Sequence, residues 1–330
     1  MPATGSATSV VVSTYDEKRW EDLAACVASL GRQTLPPRET IVVVDHNPQL
    51  LARATAAFPS ARVIANTRSR GLAGARNSGT EVAAGEIVAF IDDDARAEED
   101  WLAELEDCFS APETVGAGGA LLPLWQGPEP GWFPCEFYWI IGCSYTGLPE
   151  RLAPVRNPIG ANMAVRAAVL AEVGGFREGV SDDTPRELRA RGVVRAGGNV
   201  PDDTDLAIRV KQQRPEAVWL YQPRARVLHT VTPERASLGY FLRRSFEEGV
   251  GKANLSRQVG SSQGLSSERR QLAVVLPRAV RRHLRDLLRG EPSGGLRASA
   301  IAIGILSTTV GFLTGSVGAA FNRRPRAIRG

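Results

Sequence analysis

Asp92, Asp93 and Asp94 stand in direct succession after the apolar run Ile87 to Ile91, and no other stretch concentrates charge so tightly against an apolar segment. The C-terminal end of a buried parallel strand is where open α/β sheets bind their ligands. Three adjacent carboxylates repel one another, and an apolar sheet edge tolerates them best when a cation shares the site. The chemistry this predicts is a divalent metal neutralising a diphosphate, as in an enzyme of nucleotide sugars. A competing use is a helix N-cap, because Asp94 precedes Ala95 and acids favour helix starts. A cap needs one acid, and three are present.

Such acids must be held by a sheet, and the surrounding pattern supplies one. Short β-branched runs alternate with helical spacing through the first half, which predicts βαβ units and a doubly wound, mostly parallel α/β sheet with helices on both faces. Strands are expected over 10–13, 40–44, 62–65, 87–91 and 115–122, and helices over 21–30, 49–57, 73–83 and 101–109. The stretch 123–158 is rich in Pro, Gly and aromatics (Trp125, Trp132, Phe133, Phe137, Tyr138, Trp139), which suits either a binding face or lid, or a satellite core. A helix over 166–173, a charged Gly-rich loop over 174–200 and a helix over 203–213 follow. Two short strands, 218–221 and 226–228, and a long helix over 238–255 complete the body.

The chain has 330 residues, 43% hydrophobic and 23% charged, enough apolar content for a sizeable core. Its net charge of +4 conceals an asymmetry. From Arg269 to Gly330 twelve Arg face two acids (Asp286, Glu291), a net of +10; the rest has 28 bases against 34 acids, a net of −6. A basic tail on an acidic body points to anionic lipid or nucleic acid, and the partner expected is a membrane surface, with no nucleic acid. Within 268–289 the residues Leu272, Val275, Leu276, Val280, Leu284 and Leu287 share a face opposite Arg270, Arg278, Arg281, Arg282 and Arg285, an amphipathic pattern kinked at Pro277 and suited to a membrane surface. The segment 298–321 carries no charge and, as a helix of roughly 36 Å, is long enough to cross a bilayer. The alternative is a helix packed on the body, and the Gly311/Gly315 pair suits close helix contact. Cys26, Cys108, Cys135 and Cys143 form no CxxC pair and read as reduced thiols of a cytosolic protein without a signal peptide.

Six segments in order resemble a family 2 glycosyltransferase of GT-A fold: Val10 to Asp16, Ile41 to Asp45, Gly71-Leu72-Ala73-Gly74-Ala75-Arg76-Asn77-Ser78-Gly79, Phe90 to Ala95, Gly160-Ala161-Asn162-Met163 and Asp202-Asp203-Thr204-Asp205-Leu206. Agreement of six ordered motifs is far more specific than any one. Tyr240 to Arg244 with Glu248 to Ala253 is similar to a subgroup of membrane-associated lipid-phosphate sugar transferases.

The resemblance implies roles. Thr14, Tyr15 and Asp16 would line the nucleotide pocket, and Asp45 would accept the uracil N3–H and favour UDP, although His46 stands where relatives often have a second Asp. Arg76 would offer a planar fork to ribose or phosphate oxygens, with Asn77 adding hydrogen bonds. Asp92 would face the ribose with Asp93 beside it, alternation turning Asp93 the other way. Asp94 and Asp92 would hold Mg²⁺ or Mn²⁺, with His229 as a third ligand. Asp203 would take the acceptor's proton with Asp202 and Asp205 in support, unless the pair merely caps a helix. Gly160, Ala161 and Asn162 would border donor sugar and acceptor, and Arg156 would meet a phosphate.

The function expected is therefore an inverting, metal-dependent transfer from a UDP-sugar to an acceptor hydroxyl or lipid-linked phosphate, at the cytoplasmic face of the cell membrane, by a chain that can form oligomers. The domains expected are 1–260, split into a nucleotide half (1–122) and an acceptor half (123–260), and a membrane-associating extension, 261–330. Two other readings stay open: a sugar-nucleotidyltransferase, and a non-catalytic nucleotide-sugar-binding partner of a membrane synthase.

Overall fold

The computed structural model describes residues 6–178, 202–259 and 271–321. Most of the charged loop expected over 174–200 lies outside these residues, as do the last nine residues with four of the tail's arginines.

The first half winds as its periodicity predicts: β1 (Thr8–Thr14), α1 (Trp20–Leu30), β2 (Glu39–Val44), α2 (Pro48–Ala57), β3 (Arg62–Ala65), α3 (Leu72–Val82) and β4 (Ile87–Asp92). Then come β5 (Ala95–Ala97), α4 (Trp101–Glu106), β6 (Thr114–Trp125), β7 (Ala153–Val155), β8 (Asn162–Arg166) and α5 (Ala167–Glu172). The last elements are α6 (Asp202–Gln213), β9 (Val218–Val231), α7 (Leu238–Val259), α8 (Leu276–Leu288) and α9 (Pro292–Phe321). Strand order is β3-β2-β1-β4-β8-β6-β9-β5, with β7 on β9. Strands β3, β2, β1 and β4 are parallel neighbours, whereas β8 enters antiparallel between β4 and β6.

Strict alternation along β1 and β4 divides the core. Val10, Val12, Ala89 and Ile91 pack with Leu23, Leu30, Leu50 and Trp101 on one face; Val11, Val88 and Phe90 pack with Ala75, Leu170, Phe176 and Leu206 on the other.

The structure changes one expectation, the break in β9, and decides between alternatives at two other places. Asp94 caps no helix, because β5 follows it and pairs with β9, Ala95 opposite His229. The two short strands after 217 are one strand, β9, whose irregular register between Gln222 and Arg226 had read as a break. The aromatics of 123–158 are a third core: Phe133, Phe137, Ile140 and Ile141 are buried with Phe241, Leu276, Ala279 and Ile301. This core joins the body to α8 and α9, so the boundary at 260 separates stretches of chain that pack together.

α9 has one face on α7. A Cβ on Gly311 would lie 2.0 Å from the Phe246 carbonyl oxygen, and one on Gly249 2.0 Å from that of Thr308. Glycine there lets the two backbones touch. The other face exposes Leu306, Val310, Leu313 and Val317. α7 itself carries the half-buried ion pairs Arg244–Glu247 and Lys252–Glu248. α9 therefore does not stand as an isolated span; crossing a bilayer would strip it from α7 or draw these charges into lipid. Gly311→Leu is expected to force the helices apart at a cost of about 3 kcal/mol, as overpacking does, which thermal unfolding of the full chain would register as a clear drop in Tm; an unchanged Tm would show that the pairing contributes nothing.

Candidate active site

The site forms where β1, β2 and β4 end together. Asp92 continues the Val88–Phe90 face of β4 and turns toward α3 and α6; Asp93, one residue on, turns to the α1 face, where only 1% of it is exposed. Asp94 lies beneath β9, its carbonyl accepting the Thr230 N–H at 2.8 Å.

Each acid meets a cation. Arg19, in the 3-10 turn Glu17–Arg19 after β1, forks across Asp93 and Asp94. His229 Nε2 lies 3.3 Å from Asp94 Oδ1, and Arg235 Nη2 3.7 Å from Asp94 Oδ2. Burial would raise the Asp94 pKa, but His229 and then Arg19 and Arg235 override it and hold it at about 2. Asp93 goes the other way: burial outweighs Arg19 and lifts it to about 7. His229 is raised to about 10, Asp94 overcoming the opposing burial.

Asp92, Asp94 and His229 place one ligand atom each within 4.8 Å of one another. Asp94 Oδ1 is buried and accepts no well-directed hydrogen bond. Two carboxylates with an imidazole and an under-satisfied oxygen fit a hard-to-borderline divalent cation.

Arg76, expected as an open fork, is 3% exposed and turned inward. Its terminal nitrogens reach Asp202 Oδ2 (2.9 Å), Asp92 Oδ1 (3.3 Å) and the Gly160 carbonyl (2.9 Å). Buried among acids, it ties β4 to α6 and is held charged, its pKa raised by Asp202 and Asp92 against its own desolvation. Asp203 Oδ2 accepts the Gly160 N–H at 2.9 Å, and its Oδ1 accepts the Thr204 N–H. The expected helix-start role is thus present, but the same carboxylate is lifted to about 6 by burial and by the Asp202 charge. A carboxylate poised near 6 suits general-base work.

Other expected residues are placed differently. Asn162 is fully buried; it accepts from Trp101 Nε1 and donates to the Ala120 and Ala225 carbonyls, a core bracket that faces no ligand. Asn77 donates to the Phe176 carbonyl and Glu178 and accepts the Phe176 N–H, fixing the chain after α5. Asp205 pairs with Arg209 and Arg177, away from Asp203's partners. Arg156 donates to its neighbour Asn157 at 2.9 Å. Ala161 is buried, whereas Gly160 lies against Arg76.

The residues expected to meet the nucleotide are held by polar contacts. Asp45 Oδ1 accepts from Asn66 at 2.6 Å, and Oδ2 accepts the N–H of Gly71, whose φ of 118° starts α3 as few residues but glycine can. Tyr15 is 58% exposed beneath Arg19, Thr14 is buried against Asp93, and Asp16 accepts the Lys18 N–H. Sequence reasoning missed Arg19 and Arg235. Neither belongs to a motif; the repulsion of three acids was the one signal that bases must stand near.

Residues 9–174 match the sequence profile of glycosyl transferase family 2. Over 311 residues, 92% of this chain and 94% of the relative, the chain is 32% identical to a glucosyl-dolichyl phosphate glucuronosyltransferase of Haloferax volcanii. Over 108 residues, 31% of this chain and 35% of the relative, it is 28% identical to glycosyltransferase AglE of the same organism. By structure it is similar to the mannosyltransferase PcManGT from Pyrobaculum calidifontis, solved with GDP-Man and Mn²⁺, at a TM-score of 0.56 and 18% identity over 98% of this chain and 89% of that one. GalNAc-T7, solved with UDP, GalNAc and Mn²⁺, gives 0.52 and 17% over 79% and 52%. At these identities the structural likeness establishes the fold, GT-A.

Proposed function

The chain belongs to glycosyl transferase family 2, and from that premise we propose that it moves a sugar from UDP to a hydroxyl of a lipid-phosphate-linked acceptor, with inversion and with a divalent metal. Membership makes it a glycosyltransferase and retires both rival readings, the nucleotidyltransferase and the non-catalytic partner.

The observation that carries the proposal is the meeting of Asp92, Asp94 and His229 with the Asp202–Asp203 pair, joined through Arg76. Asp92, Asp94 and His229 would hold Mg²⁺ or Mn²⁺, which supplies charge neutralisation to the leaving diphosphate. Arg19 and Arg235, freed from the acids, would turn to phosphate oxygens. Asp203 would take the proton of the acceptor hydroxyl as its oxygen bonds to the anomeric carbon and the bond to UDP breaks, Arg76 fixing the pair's geometry. A phosphate acceptor is already ionised and needs no such base, so a carboxylate lifted to about 6 supports a hydroxyl acceptor. Asp45, with Thr14, Tyr15 and Asp16, supports uracil at the nucleotide end.

The glucosyl-dolichyl phosphate in the relative's name and the exposed apolar face of α9 support a membrane-borne acceptor. In this reading 1–260 carries catalysis, with 1–122 for the nucleotide and 123–260 for the acceptor, and 261–330 rests on an anionic leaflet at the cytoplasmic side. The test is a panel of UDP-, GDP- and other nucleotide sugars against lipid-linked glycosides and lipid phosphates, read as metal-dependent nucleotide release. UDP release that requires a lipid-linked glycoside is expected; release only from GDP-sugars, or only with a bare lipid phosphate, would refute the donor or the acceptor assignment respectively.

A further inference from the structure

A cavity of about 310 Å³ lies between α7, α8, α9 and the 3-10 helix Cys135–Ile141, within the size of small-molecule sites. Its walls are chiefly Phe137, Trp139, Leu272, Leu276, Ile305 and Phe312. Polar groups also border it, but they are turned to protein partners. Glu136 pairs with Arg282 and faces His283, Gln271 donates to the Thr146 carbonyl, and Thr309 donates to the Ile305 carbonyl. What remains for a ligand is chiefly hydrocarbon, bordered by Thr308 and Lys252.

We infer that this cavity seats the hydrocarbon chain of the acceptor lipid next to its phosphate, an inference that rests on the acceptor class proposed above. Three observations select that occupant. First, Ile305, Thr308, Thr309 and Phe312 line the cavity along one stripe of α9, while Leu306, Val310, Leu313 and Val317 form the neighbouring exposed stripe. A chain can pass sideways from a leaflet into the cavity without crossing water. Leu272, 56% exposed, marks the mouth. Second, Lys252, paired with Glu248 at 3.4 Å, lies over Trp139 at 5.4 Å and keeps at the cavity's border an ammonium that a lipid phosphate would share with that carboxylate. Third, the 3-10 helix that gives Phe137 and Trp139 to the cavity ends at Gly142, where an added Cβ would lie 3.1 Å from the His229 ring. One short element thus touches both the cavity and the candidate metal centre, so a chain held here leaves its head group facing the donor.

The test uses the full chain on phosphatidylcholine vesicles and a benzophenone-tagged farnesyl phosphate as photolabel. Label is expected on 271–276 or 305–312, competed at least tenfold better by farnesyl phosphate than by farnesol and not by inorganic phosphate. Thr309→Trp, at an exposed position, should cut labelling about tenfold and raise KM for a lipid-linked acceptor while kcat and acceptor-free UDP release hold; Leu272→Asp serves as the second variant. Label confined to other segments, or competed equally by farnesol, would overturn the inference. Correct labelling in a protein that transfers no sugar to any lipid would uphold the cavity and refute the acceptor reading instead.

Discussion

Asp94→Asn is expected to lower transfer at least 10³-fold, about 4 kcal/mol of transition-state stabilisation. The side chain sits where the charges converge: Arg19, Arg235 and His229 all address it. An amide keeps the shape and can still accept from Arg19, but it cannot hold a cation against a diphosphate. Folding should survive, because Arg19 keeps Asp93. Mn²⁺ is expected to raise the Tm of the native protein and not of the variant, since a ligand stabilises only the fold that binds it. Full activity in Asp94→Asn, or an equal Mn²⁺ response in both proteins, would remove the metal from the account.

Asp203→Asn ranks second, with an expected loss of 10²- to 10⁴-fold in kcat, the usual contribution of a positioned general base. Its pH signature is specific. The base works deprotonated, so kcat of the native enzyme should fall about tenfold per unit below pH 6 and level off above it, whereas the residual rate of the variant should be flat across that range. Stability has the opposite sign. A carboxyl raised to about 6 from its ordinary 3.8 binds its proton more tightly folded than unfolded, so its contribution is fully present below about 3.8 and is lost as pH rises toward 6. Asn carries no charge beside Asp202, but its single side-chain oxygen keeps only one of the Gly160 and Thr204 N–H bonds, so its stability relative to Asp should improve as pH rises from 4 to 7. A variant that is inactive and whose stability relative to Asp does not change with pH would mark Asp203 as a helix-start residue only.

The reinterpretation of Arg76 also bears on mutagenesis. Buried between Asp92 and Asp202, it acts by positioning the acids, so its loss would expose two uncompensated carboxylates and damage fold and activity together.

The order of strands and helices through β4, the three acids after it and the Asp202–Asp203 pair were legible because each has a local cause. Period-two apolarity makes a buried strand, period 3.6 a helix, and acids at a strand end require a compensating charge. The same alternation told in advance that Asp92 and Asp93 would diverge. Strands β5, β7 and β8 were not legible: they follow no repeating βαβ pattern, and they exist because β9 offers pairing to β5 and β7 and because β4 and β6 leave room for β8 between them. The aromatic stretch 123–158 permitted a lid or a core until α8 and α9 arrived to bury it. Arg19 and Arg235 became site residues only through folding, which brings bases from chain positions 75 and 141 residues away against Asp94. Composition and spacing determined which residues carry charge and which lie inside; long-range packing alone decided which charges meet, because Coulomb attraction and desolvation act on distance in space, to which separation along the chain is blind.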